Sequence, residues 1–434
     1  MSESLVLKNG QVVDVVNMTS EKKDVLIENG KITRVGDGLD GDETIDCSGM
    51  LVSPGFIDIH AHLREPGFEH KETIATATRA AAAGGFTTIY AMPNTEPPCD
   101  NQATAQYIRR HADMYGVVKV EPIGCISQNR KGKLLAEMGG LANAGVRMVT
   151  DDGSPIRSAN LMLLALKYSK AHGLLVADHC EDLTLSADGV CNEGFYSTLY
   201  GLKPIPKAAE ETMVARDIIL AQEADARIHI LHVTTKLSVN FIKQSKTQGT
   251  KVTCEVTPHH LCLTDKLLEK YDTNLKVNPP LRSQEDVDAC RDALIDGTID
   301  CIATDHAPHA REDKEVEIDL APPGISGFET AVGLLFNELV HTGIVKPELI
   351  ISKLTAGPAK VLGKETPLIQ PDMPADITII NPNKEWTVDP TRFHSLGKNT
   401  PLKGKTLKGV VHTTIVDGKV VFFDGEIKEG VQQS

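Results

Sequence analysis

The sequence predicts an α/β protein, a (β/α)8 TIM barrel with a small β domain formed by both chain termini. Three observations carry that prediction. Between residues 55 and 365, eight apolar β-type runs alternate with helix-like segments, the order a barrel of eight strand–helix units requires. The stretches 1–54 and 366–434 share another texture, short apolar runs broken by Asn-Gly and Asp-Gly, a strong hairpin signal. Metal-ligand residue types close strand after strand at the same end. An open doubly wound sheet is the alternative architecture.

The chain opens with LVLKNGQVVDVV, KKDVLIENGKITRVGDG and ETIDCSGMLVSPG, each read as strand and turn. The barrel strands follow as VSPGFIDIHAH, FTTIYAMPN, VVKVEPIGCIS, GVRMVTDDG, LLVADHCED, RIHILHVTT, KVTCEVTPHH and TIDCIATDHAPH. Helical stretches between them include KETIATATRAAAAGG, SANLMLLALKYSKAHG, EETMVARDIILAQEAD and QEDVDACRDALIDG. Several end in glycine, as helix C-termini often do. The Ala run at 80–83 reads as a tight helix-packing face. Residues 371–374 and 383–404 read as loop. ADITIINPNKEW and GVVHTTIVDGKVVFFDGEI return to the opening texture, so both termini are expected to build one β domain.

A formal net charge of −14 argues against nucleic acid or an anionic membrane as the main partner. One arginine can still hold a small acidic substrate. Nine cysteines without a CxxC pair fit free thiols in a reducing cytosol. The first residues, MSESLVLKNGQVVDVV, lack the basic start and apolar run of a secretory signal. No run of eighteen apolar residues is present. A cytoplasmic location is the expectation.

The segment GFIDIHAHLREPG places Asp58, His60 and His62 at alternate positions. Strand side chains alternate faces, so these three are expected to share the barrel mouth, with Ile57, Ile59 and Ala61 on the other face. His179, His232 and Asp305 end other strands. Imidazole and carboxylate together suit Zn2+, and Mn2+, Co2+ and Fe2+ accept similar sites. A donor set of this size can hold two metals, activating a hydroxide between them at neutral pH. The TDDG pair, Asp151 and Asp152, supplies a bridging carboxylate. Asn94 and Asn278 could instead be turn formers beside Pro93 and Pro279. His259 and His260 read as structural, His229 as an outer-face group, and Cys180 as packed.

GFIDIHAHLREPGFEHKETIATATRAAAAGGFTTIYAMPNT resembles the metal-binding opening of dihydroorotase, within the cyclic-amidohydrolase superfamily. The likeness continues in order through TDDGSP, VADHCED, LHVTT, EVTPHHL, KVNPPLR, ATDHAPH, PPGISGFET and VDGKVV. It implies reversible interconversion of N-carbamoyl-L-aspartate and L-dihydroorotate in pyrimidine (UMP) biosynthesis, with one or two Zn2+ per chain. His60, His62 and Asp305 would bind the more buried metal, and His179 and His232 the second. TDDG has no lysine, so the chain resembles the longer, aspartate-bridged type, with Asp152 as the bridge and Asp151 as runner-up. Asp305 would carry the catalytic proton. Substrate would meet His62, Arg64, Asn94, Asn278, His309, and the Pro323–Gly324 backbone. Arg64 suits a bidentate carboxylate pair, although it could only salt-bridge an acidic loop. The resemblance also implies a homodimer and a possible complex with aspartate transcarbamoylase. The charge and position of residues 309–320, HAREDKEVEIDL, suggest a mobile loop, and the sequence leaves open whether it closes over substrate. The alternatives are another cyclic amidase, such as a hydantoinase or allantoinase, and a weakly active relative serving as transcarbamoylase partner.

Overall fold

Turn chemistry shapes the two ends of the chain. Asn29-Gly30, Asp417-Gly418 and Asp424-Gly425 each hold positive φ at both positions, the conformation of a tight hairpin turn. They link β2 (Thr19–Glu28) to β3 (Lys31–Gly36) and join the last three strands among the described residues. Asn9-Gly10 behaves differently. It lies inside β1 (Leu5–Asp14), where the register with β2 shifts between Leu7 and Gly10. A Cβ at Gly10 would sit 2.4 Å from Val52 Cγ2, so close approach explains this glycine, and no turn forms there.

The computed structural model describes residues 4–428. Residues 1–3 and 429–434 of the expected β domain lie outside the described residues. After β1–β3 come β4 (Glu43–Asp46) and β5 (Leu51–Pro54). The sequence reads VSPGFIDIHAH as one strand, but the chain divides it at Gly55. The Gly55 N–H donates to Asp376 O, and a Cβ there would meet Thr87 Oγ1 at 2.1 Å. Glycine alone lets the backbone cross so near its neighbour, leaving β5 in the terminal sheet and starting β6 (Phe56–Ala61) in the barrel.

The barrel continues through β7 (Phe86–Ala91), β8 (Lys119–Pro122), β9 (Met148–Val149) and β10 (Leu175–Asp178). A small parallel pair, β11 (Cys191–Asn192) and β12 (Pro204–Ile205), interrupts the series. Then come β13 (Ile228–Ile230), β14 (Val252–Val256) and β15 (Cys301–Ile302). All pairs between neighbouring barrel strands are parallel. Bridges Gly124–Val149 and Ala61–His306 join the two arcs, so the eight strands close on themselves. A closed barrel leaves no sheet edge unpaired.

β16 (Ile377–Thr387), β17 (Thr406–Val416), β18 (Lys419–Phe423) and β19 (Glu426–Ile427) join β1–β5 in one nine-stranded sheet. β16 pairs antiparallel with β5, directly linking the two ends of the chain. β16 also runs to Thr387, so the expected loop at 383–404 begins later. Helix Ile74–Ala83 buries Ala80, Ala81 and Ala82 completely, as its alanine run predicts.

Beneath the barrel mouth lies an apolar cluster including Ile59, Met148, Leu175, Ala177, Cys301 and Ala303. Each fully buried Ile or Leu contributes about 1.5–3 kcal/mol relative to exposure, giving the mouth a rigid floor. Segment 309–320 is tied to the surrounding structure by hydrogen bonds from two buried lysines. Lys314 Nζ donates to Thr273 O and Pro322 O at 3.1 and 2.7 Å. Lys276 Nζ donates to Ile318 O at 2.8 Å, and Ile318 packs into a core cluster. Two buried amines satisfied by carbonyls hold the segment, a feature its charged sequence hides.

Candidate active site

Strict alternation fails on β6, and the failure builds the site. The pairing with β7 shifts between Asp58 and Ala61. Asp58 does not face the mouth with the histidines. Its Oδ1 accepts the His60 N–H at 3.0 Å and the Thr304 N–H at 3.2 Å, and Oδ2 accepts the Thr304 hydroxyl. Ile59, and Ile57 beside it, pack into the cluster under the mouth, while Ala61 joins the helix-facing core. Asp58 thus pins the irregular backbone to the end of β15. Burial raises its carboxyl to about 7, against the opposing effect of these donors and of the charge on neighbouring His60.

Four imidazoles and two carboxylates converge over that floor. His60 Nε2 lies 3.4 Å from Asp305 Oδ1 and 3.7 Å from Asp152 Oδ1. His62 Nε2 lies 3.1 Å from Asp305 Oδ1 and 3.5 Å from Asp152 Oδ2. His179 Nδ1 and His232 Nε2 stand 3.5 and 3.6 Å from Asp152 Oδ1, and 2.9 Å from each other. All six residues are buried. Two donors on one tetrahedral Zn2+ at about 2.05 Å are about 3.3–3.4 Å apart, so these spacings fit shared coordination. His60 Nε2 and Asp152 Oδ1 are buried and lack hydrogen-bond partners, as atoms aimed at an ion would. Three overlapping sets could each take a cation: His60, His232 and Asp305; His60, His62 and Asp152; Asp152, His179 and His232.

The charges support the same fit. Burial opposes a charge on His60, yet Asp305, Glu255 and Asp152 outweigh it and lift the imidazole to about 10. Asp152 is buried as well, and the surrounding imidazoles, His60 foremost, hold it well below the usual carboxylate range. A site that traps protons this strongly can trade them for a metal ion. His232 and Asp305 both adopt positive φ, 30° and 47°, a conformation that costs energy and concentrates at functional sites.

The two aspartates of TDDG separate cleanly. Asp151 accepts the Ile126 and Ser127 N–H groups and the Ser127 hydroxyl, so it braces a loop. Asp152 sits among the four imidazoles.

Arg64 is half-buried, and its Nε donates to Pro308 O at 3.2 Å. Its Nη2 lies 3.5 Å from His309 Nε2. His309 Nε2 also lies 2.9 Å from Pro323 O. Asn94 Oδ1 accepts from His62 Nδ1 at 2.9 Å, directing Nε2 of that ring to the carboxylates. Asn278 Nδ2 donates to Glu181 Oε2 at 2.9 Å. Gly324 donates its N–H to Lys276 O, and its carbonyl accepts from Asn399. The Pro323 carbonyl and both Gly324 backbone groups are thus paired within the protein. A Cβ at Gly324 would come 2.7 Å from Ala307 O, at a φ of 142° that disfavours any side chain.

Two carboxylates escape sequence reasoning. Glu181 Oε2 meets His179 Nε2 at 2.9 Å, and Glu255 Oε1 meets His60 Nδ1 at 2.6 Å. Glu181 stands two residues after His179, and Glu255 is a lone charge inside the apolar run VTCEV; those were the available signals. His229, read as outer-face, instead bonds Glu255 Oε2 at 3.1 Å. Strand parity does not relate His229 to His232, because β13 ends at Ile230 and the chain turns before His232. His260 is structural as expected, placed between Thr257 Oγ1 and Pro279 O. Cys180 is buried and packed near Asp217.

A family model described as dihydro-orotase-like matches residues 49–238. A dihydroorotase of Pelotomaculum thermopropionicum is 53% identical over 426 residues, covering 98% of this chain and 100% of that one. One from Caldanaerobacter subterraneus subsp. tengcongensis is 50% identical, covering 96% of each. Among solved structures, an L-hydantoinase (dihydropyrimidinase) from Arthrobacter aurescens aligns with a TM-score of 0.88 at 26% identity, over 99% of this chain and 98% of that one. A dihydropyrimidinase from Brevibacillus agri NCHU1002 aligns with a TM-score of 0.84 at 24% identity, covering 98% and 96%. Joined to a mouth of four imidazoles and two carboxylates on a closed barrel, identity of this extent places the chain in the dihydroorotase family.

Proposed function

We propose that this chain interconverts N-carbamoyl-L-aspartate and L-dihydroorotate at a zinc centre held by His60, His62, Asp152, His179, His232 and Asp305. The carrying observation is the 3.1–3.7 Å spacing of imidazole nitrogens around the two carboxylates. Zinc bound there supplies Lewis acidity, giving a water nucleophile at neutral pH and polarising the ring amide carbonyl. The residues do the rest. Asp152, central among the imidazoles, would help hold the metal. Asp305 Oδ1 takes the proton the water releases and passes it to the ring nitrogen as the C–N bond breaks. In ring closure it returns that proton to the departing oxygen. Its neighbours His60 and His62 outweigh the effect of burial and keep Asp305 below the usual carboxylate range, ready to accept.

Arg64 binds the substrate carboxylate as a bidentate pair, flanked by His309, with Asn94 and Asn278 orienting the ring amides. Burial pulls the Arg64 guanidinium down to about 10, still fully charged at neutral pH. Arg64→Met is expected to lower kcat/KM for dihydroorotate about 10²-fold, by loss of one charge-assisted contact. A steady-state comparison with hydantoin, which lacks the carboxylate, checks this; equal losses on both substrates would reject the assignment.

The first test is dihydroorotate hydrolysis by the purified chain before and after chelation and zinc return, with hydantoin and allantoin in parallel. Activity lost with the metal, restored by zinc and selective for dihydroorotate supports the proposal. Preference for hydantoin or allantoin would favour the other cyclic amidases. The same reading includes a homodimer, a cytoplasmic place in pyrimidine synthesis, and a possible complex with aspartate transcarbamoylase. Activity regained by the metallated chain only on adding that enzyme would show that the site is assembled in a complex.

A further inference from the structure

Glu255 is a wholly buried carboxylate on β14, at 0% exposure. Isolated in a barrel interior, such a charge is expensive, and its partners explain its presence. Oε1 lies 2.6 Å from His60 Nδ1 and accepts the His232 backbone N–H at 3.4 Å. Oε2 lies 3.1 Å from His229 Nε2, and His229 Nδ1 lies 2.8 Å from Thr253 Oγ1. With the Thr253 hydroxyl donating to Nδ1, His229 keeps its proton on Nε2 and donates to Glu255. Glu255 in turn fixes the proton of His60 on Nδ1. The free lone pair of His60 is then on Nε2, the buried, unpartnered atom that faces Asp152 and Asp305.

The His232 contact extends this role. His232 stands at a positive φ of 30°, and its amide is held by the oxygen that orients His60. One carboxylate therefore sets a side-chain donor of one candidate triad and the backbone of a donor in another. His229, Glu255 and Cys301 also lie close enough together to hold a cation. Both Glu255 oxygens already accept hydrogen bonds, so this group reads as a proton-fixing chain.

We propose that Glu255, backed by His229 and Thr253, is a positioning residue that locks His60 in its Nε2-ligating tautomer and seats His232, so that the two metal positions are organised together. This rests on the metal centre proposed above. Carboxylate partners of metal-binding histidines typically account for 10–100-fold in metal affinity.

The test measures Zn2+ dissociation constants by competition with a chromophoric chelator, and the visible absorption of the Co2+-loaded protein. The parent, Glu255→Gln and Glu255→Ala are compared, with thermal unfolding of each metal-free chain. Glu255→Ala is expected to weaken zinc about 10–100-fold. Glu255→Gln keeps an acceptor for His60 Nδ1–H, so it should weaken zinc less and still shift the cobalt bands. If Glu255→Ala does not fold, the Glu255→Gln affinity and spectrum decide. Variants matching the parent in both readouts would overturn the inference, as would zinc losses equal in Gln and Ala. A parent that binds neither ion would overturn the metal centre, and this inference with it.

Discussion

Replacing Asp305 with alanine is expected to lower kcat for dihydroorotate hydrolysis by roughly 10³-fold or more, with a smaller change in KM. Two losses combine. Asp305 Oδ1 stands 3.1 Å from His62 Nε2 and 3.4 Å from His60 Nε2, so its removal strips a donor from the site. Its removal also deletes the proposed base for moving the proton between water and ring nitrogen. Asp305→Asn separates these effects, because the amide keeps an oxygen donor but cannot carry the proton. Zinc binding should then survive better than kcat. If the asparagine variant turned over at near the parent rate, the proton-transfer role would be wrong.

The second large effect is expected at Asp152. Alanine there should reduce zinc per chain and lower kcat by roughly 10²–10³-fold, because Asp152 oxygens face all four imidazoles. Asp151→Ala provides the contrast. Asp151 braces Ile126 and Ser127, so its loss should lower thermal stability, by about 1–3 kcal/mol for the donors left unpaired, while zinc stoichiometry holds. Metal analysis and calorimetry on the two variants distinguish the roles. Zinc loss in Asp151→Ala with retention in Asp152→Ala would reverse the assignment.

Much of the architecture is written in local pattern. Most of the barrel strands lie where apolar runs end in polar site-type residues, because a parallel strand is buried on both faces and its C-terminal end opens on the mouth. Asn29-Gly30, Asp417-Gly418 and Asp424-Gly425 mark real hairpins because positive φ is a property of those residues themselves. His60, His62, His179, His232 and Asp305 can be found in the sequence for the same reason: a polar residue closing an apolar strand needs a partner.

Tertiary structure decided what depends on a distant neighbour. Asn9-Gly10 bulges because Val52 crowds Gly10. Asp58 leaves the mouth because Thr304, across the barrel seam, offers it two donors. Asp151 and Asp152 are adjacent and chemically identical, so only the loop at Ile126 and Ser127 separates their roles. Glu181 and Glu255 look like ordinary charges until His179 and His60 are brought against them. Residue type and periodicity thus determined the barrel, the terminal sheet and most of the candidate donor set. The register shift in β6, the choice of aspartate and the carboxylates behind the histidines came from contacts between residues far apart in the chain, whose partners no local pattern specifies.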